Sequence, residues 1–186
     1  VYRYLALVWT SGNERSRQVA LSLMQRLEAG STRWSRVLEE AGVSVFHADR
    51  HIGSSDALTL THSAGVVLGR IFSREIADPQ SAARVGFDEA ESTRIVASGG
   101  RRLLEKYWGR YVAILRNAAT GELRVLRDPS GGFPCYLAHH EGVSILCSDV
   151  EDCHTLGAIS FTVNWRYIAA FLAHAAVQVR DTALNE

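Results

Sequence analysis

Several groups of side chains in this sequence have the residue types and spacing that chemistry uses. His47, Asp49 and His51 alternate. On a strand they would share one face, placing two imidazoles and a carboxylate where metal ligands could stand. The order is not the His-Glu-x-x-His of a helical zinc site, and the polar end of a strand is the preferred reading. Ser98-Gly99-Gly100 follows the apolar Ile95-Val96-Ala97 and precedes a helical stretch. Backbone N–H groups at such a helix start can hold phosphate. Arg101-Arg102-Leu103 come next, so no acidic residue or second serine completes a phosphate loop, and the segment is read as a helix-breaking turn. Cys135, Cys147 and Cys153, with His139, His140 and His154, contain no Cys-x-x-Cys pair; they read as small core residues rather than a zinc site. Tyr107, Trp108 and Tyr111 read as core and interface packing rather than a platform for a peptide.

The most specific local pattern is Arg127-Asp128-Pro129-Ser130-Gly131-Gly132-Phe133-Pro134. An Asp side chain can cap a tight turn, glycines supply positive φ, and a proline fixes the entry into the next strand. Asp128 is therefore expected to cap the turn, with Gly131 and Gly132 at positive φ and Pro134 at the re-entry. Arg127 is expected to pair with a carboxylate, Asp149 or Glu151.

The elements that must position these residues follow from periodicity. Tyr2 to Trp9 predicts a buried first strand. Ser11-Gly12-Asn13-Glu14 offers a capping box with Ser11 as cap, and Val19, Leu23, Met24 and Leu27 continue at helical spacing to Gly30. Trp34 to Ala48 allows a helical turn or a hairpin turning at Glu39 to Gly42, with Val43, Val45 and Phe46 favouring a strand. Val66 to Phe72 reads as a strand, and Ser73 to Val85 as a loop holding Pro79. A helix start at Asp88-Glu89-Ala90-Glu91 opens a helix or helix pair running to Gly109. A strand meander follows over Tyr111–Arg116, Leu123–Arg127, Cys135–His139 and Val143–Ser148. Trp165 to His174 closes as a helix capped by Asn164. Strands, two helices, a meander and a helix in that order predict an α+β class.

Composition bounds the function. The 186 residues suit one large domain able to bury its own core. The formal net charge is zero, which gives no electrostatic case for nucleic acid or an acidic membrane surface. Three cysteines are too few and too odd for a secreted disulfide scaffold. No apolar stretch reaches membrane-spanning length and no signal peptide stands out, so a soluble cytoplasmic protein is expected. Asp181 to Glu186 does not read as the close of a fold; the domain is expected to end near residue 180, where a linker begins.

These patterns carry a resemblance. Leu104-Glu105-Lys106-Tyr107-Trp108-Gly109-Arg110-Tyr111-Val112-Ala113-Ile114 resembles the leucine, glycine, aromatic, alanine stretch of class II glutamine amidotransferases. Arg127 to Tyr136 looks like that family's Arg-Asp-x-x-Gly-x-x-Pro-aromatic turn. Ser148-Asp149-Val150-Glu151 is similar to the step after the next strand in asparagine synthetases. Order and spacing agree from Leu103 to Cys153. The resemblance implies an N-terminal amidotransferase-like domain, residues 1 to 186, with a four-layer αββα sandwich of the N-terminal-nucleophile hydrolase type. It also implies that Arg127, Asp128, Gly131, Pro134, Ser148 and Asp149 are structural motif residues.

Active relatives use a cysteine at position one whose own α-amino group is the base. Val1-Tyr2-Arg3 stand here. Arg70-Ile71-Phe72-Ser73-Arg74 occupy the place of the family's Asn-Gly-Glu-aromatic-Asn oxyanion motif, and Arg50-His51-Ile52-Gly53 that of its glutamine-gripping Arg-Gly-Pro-Asp. No catalytic residue, cofactor site or metal site is therefore expected in this chain. The resemblance is greatest to the lasso-peptide cyclases, which keep the fold and need no ammonia. It implies a C-terminal synthetase domain that uses ATP and Mg²⁺ to activate an Asp or Glu side chain of a peptide for macrolactam closure. The expected partners are that synthetase domain and also the precursor peptide, its leader-binding protein and its leader peptidase. A glutamine-hydrolysing asparagine synthetase and a non-catalytic scaffold are the alternatives.

Overall fold

The computed structural model describes residues 2–48, 57–74, 85–174 and 183–185. The chain is mixed α+β, and every strand pairing among the described residues is antiparallel. β1 (Arg3–Trp9) lies at the centre of a five-stranded sheet. On one side it pairs with β3 (Val43–Ala48), which pairs with β2 (Ser35–Glu40). On the other it pairs with β9 (Val143–Cys147), which pairs with β8 (Tyr136–His140). The second sheet has the order β4 (Ala57–Thr59), β5 (Gly65–Ser73), β6 (Tyr107–Arg116), β7 (Leu123–Arg127). β10 (Thr162–Val163) pairs with β11 (Leu184–Asn185). The helices are α1 (Glu14–Ala29), α2 (Glu89–Ala97), α3 (Arg101–Lys106), α4 (Val150–Thr155) and α5 (Trp165–His174).

Period-two alternation sends each strand's side chains to two different cores. Tyr4 and Ala6 of β1 join Val66, Leu68, Val112, Ile114 and Leu146 in a buried cluster between the two sheets. Leu5 and Leu7 face the other way, against Ala20, Leu23, Met24 and Leu27 of α1 and Cys153 of α4. On the second sheet Val67, Tyr111, Ala113 and Leu115 meet Ile95 of α2 and Leu103 of α3. The three cores thus place helices outside each sheet and bring the sheets face to face. Fully buried aliphatic and aromatic side chains of this kind each contribute about 1.5–3 kcal/mol of transfer free energy.

Several sequence expectations are corrected. The cap of α1 is Asn13, whose Oδ1 accepts from Ser16 N at 3.1 Å, and not Ser11. Trp34 to Ala48 resolves as the β2–β3 hairpin. The helix pair ends at Lys106, and Tyr107 to Gly109 belong to β6. Their strand conformation follows from pairing with β5, where Phe72 stacks on Trp108 at 4.7 Å between ring centroids. The expected meander is divided: β6–β7 and β8–β9 are hairpins of different sheets, joined by a crossover at 128–135. The six-residue α4 had no counterpart in the sequence reading. The α2 cap Asp88, which accepts from Glu91 N at 2.7 Å, and α5 with its Asn164 cap are as expected.

Candidate functional site

The crossover that carries the Arg-Asp-x-x-Gly-x-x-Pro pattern wraps around one carboxylate. Asp128 is 3% exposed. Its Oδ1 accepts from Ser130 N at 2.9 Å and from the Ser130 hydroxyl, and its Oδ2 accepts from Tyr111 N at 3.3 Å. One side chain therefore closes the turn and ties it to β6. Ser130 Oγ in turn accepts from Gly132 N at 3.1 Å. Gly131 has φ +61, the left-handed region expected of it, whereas Gly132 does not adopt positive φ. A side chain at Gly132 would press on Arg110, so close packing rather than backbone conformation favours glycine there.

Arg127 does not pair with Asp149 or Glu151. Its guanidinium donates to the carbonyl of Phe133 at 2.8 Å and to the carbonyl of Gly131. It folds back on its own loop and satisfies carbonyls that the turn leaves unpaired. Asp149 meets Arg3 instead, with Nη1 at 3.8 Å, and the same guanidinium reaches Asp152 through Nη2 at 3.2 Å. Asp149 also caps α4, accepting from Glu151 N at 3.0 Å.

Tyr4 joins the parts, and sequence reasoning missed it. Its backbone N–H donates to Ser148 Oγ at 3.0 Å, and its carbonyl accepts from Ser148 N at 3.1 Å. Its hydroxyl donates to the Pro134 carbonyl at 3.1 Å, and its ring packs on Phe133 at 5.3 Å. Of the six motif residues, Pro134 and Ser148 are thus bonded to Tyr4, Asp149 to its neighbour Arg3, and Arg127, Asp128 and Gly131 to the crossover itself. The signal in the sequence is the strand period, which sets Tyr4 and Ala6 on one face of a buried strand.

The chemistry of this assembly is that of a clasp. Burial pushes the Tyr4 phenol far up, keeping it a neutral donor. Cys147 and Cys153 have Sγ atoms 3.2 Å apart in the core beneath α4; their mutual hydrogen bond and burial raise the Cys147 thiol, so it is no activated nucleophile. Burial lifts Asp152 to about 6, outweighing Arg3, which acts downward. Its Oδ2 has no hydrogen-bond partner among the described residues.

The remaining sequence candidates are placed as follows. His47 lies on β3 with its ring against Tyr2 at 5.8 Å, while Asp49, Arg50, His51, Ile52 and Gly53 lie outside the described residues. Ser98-Gly99-Gly100 is the turn between α2 and α3. Ser98 Oγ accepts from Arg102 N at 3.1 Å, and the glycines lie under Arg124, Leu115 and Leu126. That packing fits a helix break and leaves no phosphate cradle. Of Arg70 to Arg74, which stand in the place of the oxyanion motif, Arg70 to Ser73 are strand residues committed to the β5–β6 ladder, from Arg70↔Arg110 through Ser73↔Tyr107. An open groove of about 530 Å³ lies where β2 and β4 approach. Its cation, Arg36, is already paired with Glu28 and Glu39, each at 2.7 Å. Among the described residues no three His, Cys, Asp or Glu side chains gather as metal ligands, and no helix is long and apolar enough to cross a membrane.

No protein-family model matches the chain, and no match to it is found among curated proteins.

Proposed function

We propose that this chain is an amidotransferase-like domain of the N-terminal-nucleophile type, a four-layer αββα sandwich without glutaminase chemistry of its own. In this reading it belongs to an asparagine-synthetase-like, ATP-dependent amide ligase that closes a lasso-peptide macrolactam. Its work there is structural: it supports the synthetase domain and docks the peptide machinery. ATP and Mg²⁺ belong to that synthetase domain and to no residue of this chain.

The observation that carries the reading is the crossover at 128–135 together with Arg127 at the end of β7. The residues of the family-like turn are the ones that join the two sheets and clasp the first strand, through Asp128 to Tyr111, Arg127 to Phe133 and Gly131, and Pro134 to Tyr4. The layering of the three cores supports the sandwich. The loss of glutaminase is supported by the start of β1, where Tyr2, His47 and Phe133 pack together, and by the ladder that occupies Ile71 to Ser73. A glutaminase would need an open thiol beside a base and free backbone donors at those places.

The test compares the parent enzyme, intact and lacking residues 1–186, on a precursor peptide with ATP. Loss of cyclisation on truncation is expected, together with no ammonia release from glutamine by the intact enzyme. A folded synthetase domain that cyclises at the intact rate would refute the supporting role. Glutamine hydrolysis removed by substituting Cys135 would refute the loss of glutaminase.

A further inference from the structure

We infer that the outer edge of β8, unpaired among the described residues, pairs with the same edge of a second copy of this chain, two-fold and antiparallel, making one continuous sheet. The β8–β9 hairpin turns through Glu141-Gly142, both at positive φ, with His140 opposite Val143. In a two-residue hairpin that flanking pair exchanges hydrogen bonds, and the pattern alternates along the ladder. Tyr136, Ala138 and His140 therefore direct their N–H and C=O groups to β9. Leu137 and His139 direct theirs outward, where no partner is found among the described residues. The order is fixed independently on the far side of β9, where Ser148, an even-numbered residue, bonds to Tyr4 of β1.

The other outer strands of the two larger sheets are guarded. β2 carries Arg36, Glu39 and Glu40 and an irregularity in its register. β7 carries Arg124 and Arg127, and β4 has only three residues. Charge, bulges and shortness are how sheet edges resist pairing. β8, Tyr-Leu-Ala-His-His, has no Asp, Glu, Lys, Arg or Pro. Pairing it with itself sets no like charges opposite one another.

A second observation points to the same flank. Leu137 lies opposite Leu146 and Val125 opposite Ile114, so both side chains face the core between the sheets. Leu146 and Ile114 are buried, yet Leu137 is 54% and Val125 44% exposed. Apolar surface of the inter-sheet face therefore remains exposed at Leu137 and Val125, beyond the part that Phe133 and Cys135 cover. With Ala138 on the two-fold axis, each Leu137 would exchange a pair of N–H···O bonds with the other copy's His139. The two Leu137 side chains would meet diagonally on this exposed surface. A second copy therefore satisfies the free backbone groups and covers Leu137 by one contact.

Sedimentation equilibrium of this chain tests the inference. A concentration-dependent dimer is expected. Leu137→Pro removes an outward N–H without costing β9 a hydrogen bond, and Leu137→Lys sets like charges near the axis. Each should weaken the dimer at least about tenfold, with the far-ultraviolet circular dichroism unchanged. Leu172→Glu, on exposed α5, should leave the dimer intact. A wild-type chain that stays monomeric overturns the proposal and gives the edge to another occupant, such as an extended peptide or a different domain. A dimer lost with Leu172→Glu but kept in both folded Leu137 variants overturns it equally.

Discussion

Asp128 is the residue on which the crossover depends, because its two oxygens serve different elements. Oδ1 holds the turn through Ser130, and Oδ2 holds Tyr111 N in β6. Replacing a surface cap costs about 1 kcal/mol, but here alanine would also leave a buried N–H unsatisfied. Asp128→Ala should therefore cost about 2–3 kcal/mol, read as a lower urea midpoint with unchanged m-value; a loss under 0.5 kcal/mol (roughly the scale of a neutral surface change) would refute this role. Asp152 makes the opposite kind of contribution. Its carboxyl rises from 3.8 to about 6 on folding, so between those values the native state binds more protons than the unfolded state. Stability from this group is then lost as pH rises across that window, by about 2–3 kcal/mol in all. Asp152→Asn should remove this decline, leaving a flatter stability profile between pH 3.8 and about 6 in denaturant titrations. A profile unchanged by the substitution would show that Arg3 compensates the buried charge in full.

At the scale of elements, α2, α3 and β6 are held by an ionic hinge. Glu91 accepts from Arg102 Nε at 2.7 Å and Nη2 at 2.8 Å, and from the Tyr107 hydroxyl at 3.0 Å. The Arg102 hydrogen bonds above all, with help from Tyr107, hold its carboxyl below the ordinary 4.5. A lowered carboxylate contributes stability that is present above the unfolded value and lost as pH falls through the folded one. Glu91→Gln should cost about 1–2 kcal/mol at neutral pH, with the difference shrinking below pH 4.5, as thermal unfolding across pH would show. A constant difference down to pH 2 (about two units below the reference carboxylate) would mean packing, not charge, is the link. The elements themselves were mostly legible: β1, α1, β5, α2 and α5 follow from period and caps. What was not legible came from partners far along the chain. Tyr107-Trp108 continue a helical pattern locally, and only β5 makes them a strand. The spacing from β7 to β8 reads like another hairpin, and nothing local says that the chain changes sheets there. Arg127 was given a carboxylate because charge suggests one, whereas the turn brings carbonyls to it first. Tyr4 was hidden because a buried tyrosine in an apolar strand signals core, and its hydrogen bonds depend on where the crossover lands.

At the scale of the molecule, the two larger sheets have distinct hydrogen-bond ladders, and the contact between them includes the inter-sheet core, the crossover and the Arg116–Glu40 ion pair at 3.6 Å. Tyr4, Ala6, Val66, Leu68, Val112 and Ile114 are fully buried there. Separating the sheets would expose these side chains at a cost of about 25 cal/mol per Å² of apolar surface, too much for either sheet to open alone. The amides of β1, β5, β6 and β9 should therefore exchange with solvent at one common free energy, that of global unfolding. The flank that exposes Leu137 and Val125 lacks this cover. Under conditions where the chain is monomeric, the outward amides of Leu137 and His139 should exchange fastest within β8, and those of Ala138 and His140 more slowly because they bond to β9. Native-state hydrogen exchange checks both statements in one experiment. Two separate limiting free energies, one for each sheet, would show that the sheets unfold independently and that the crossover does not make them one cooperative unit.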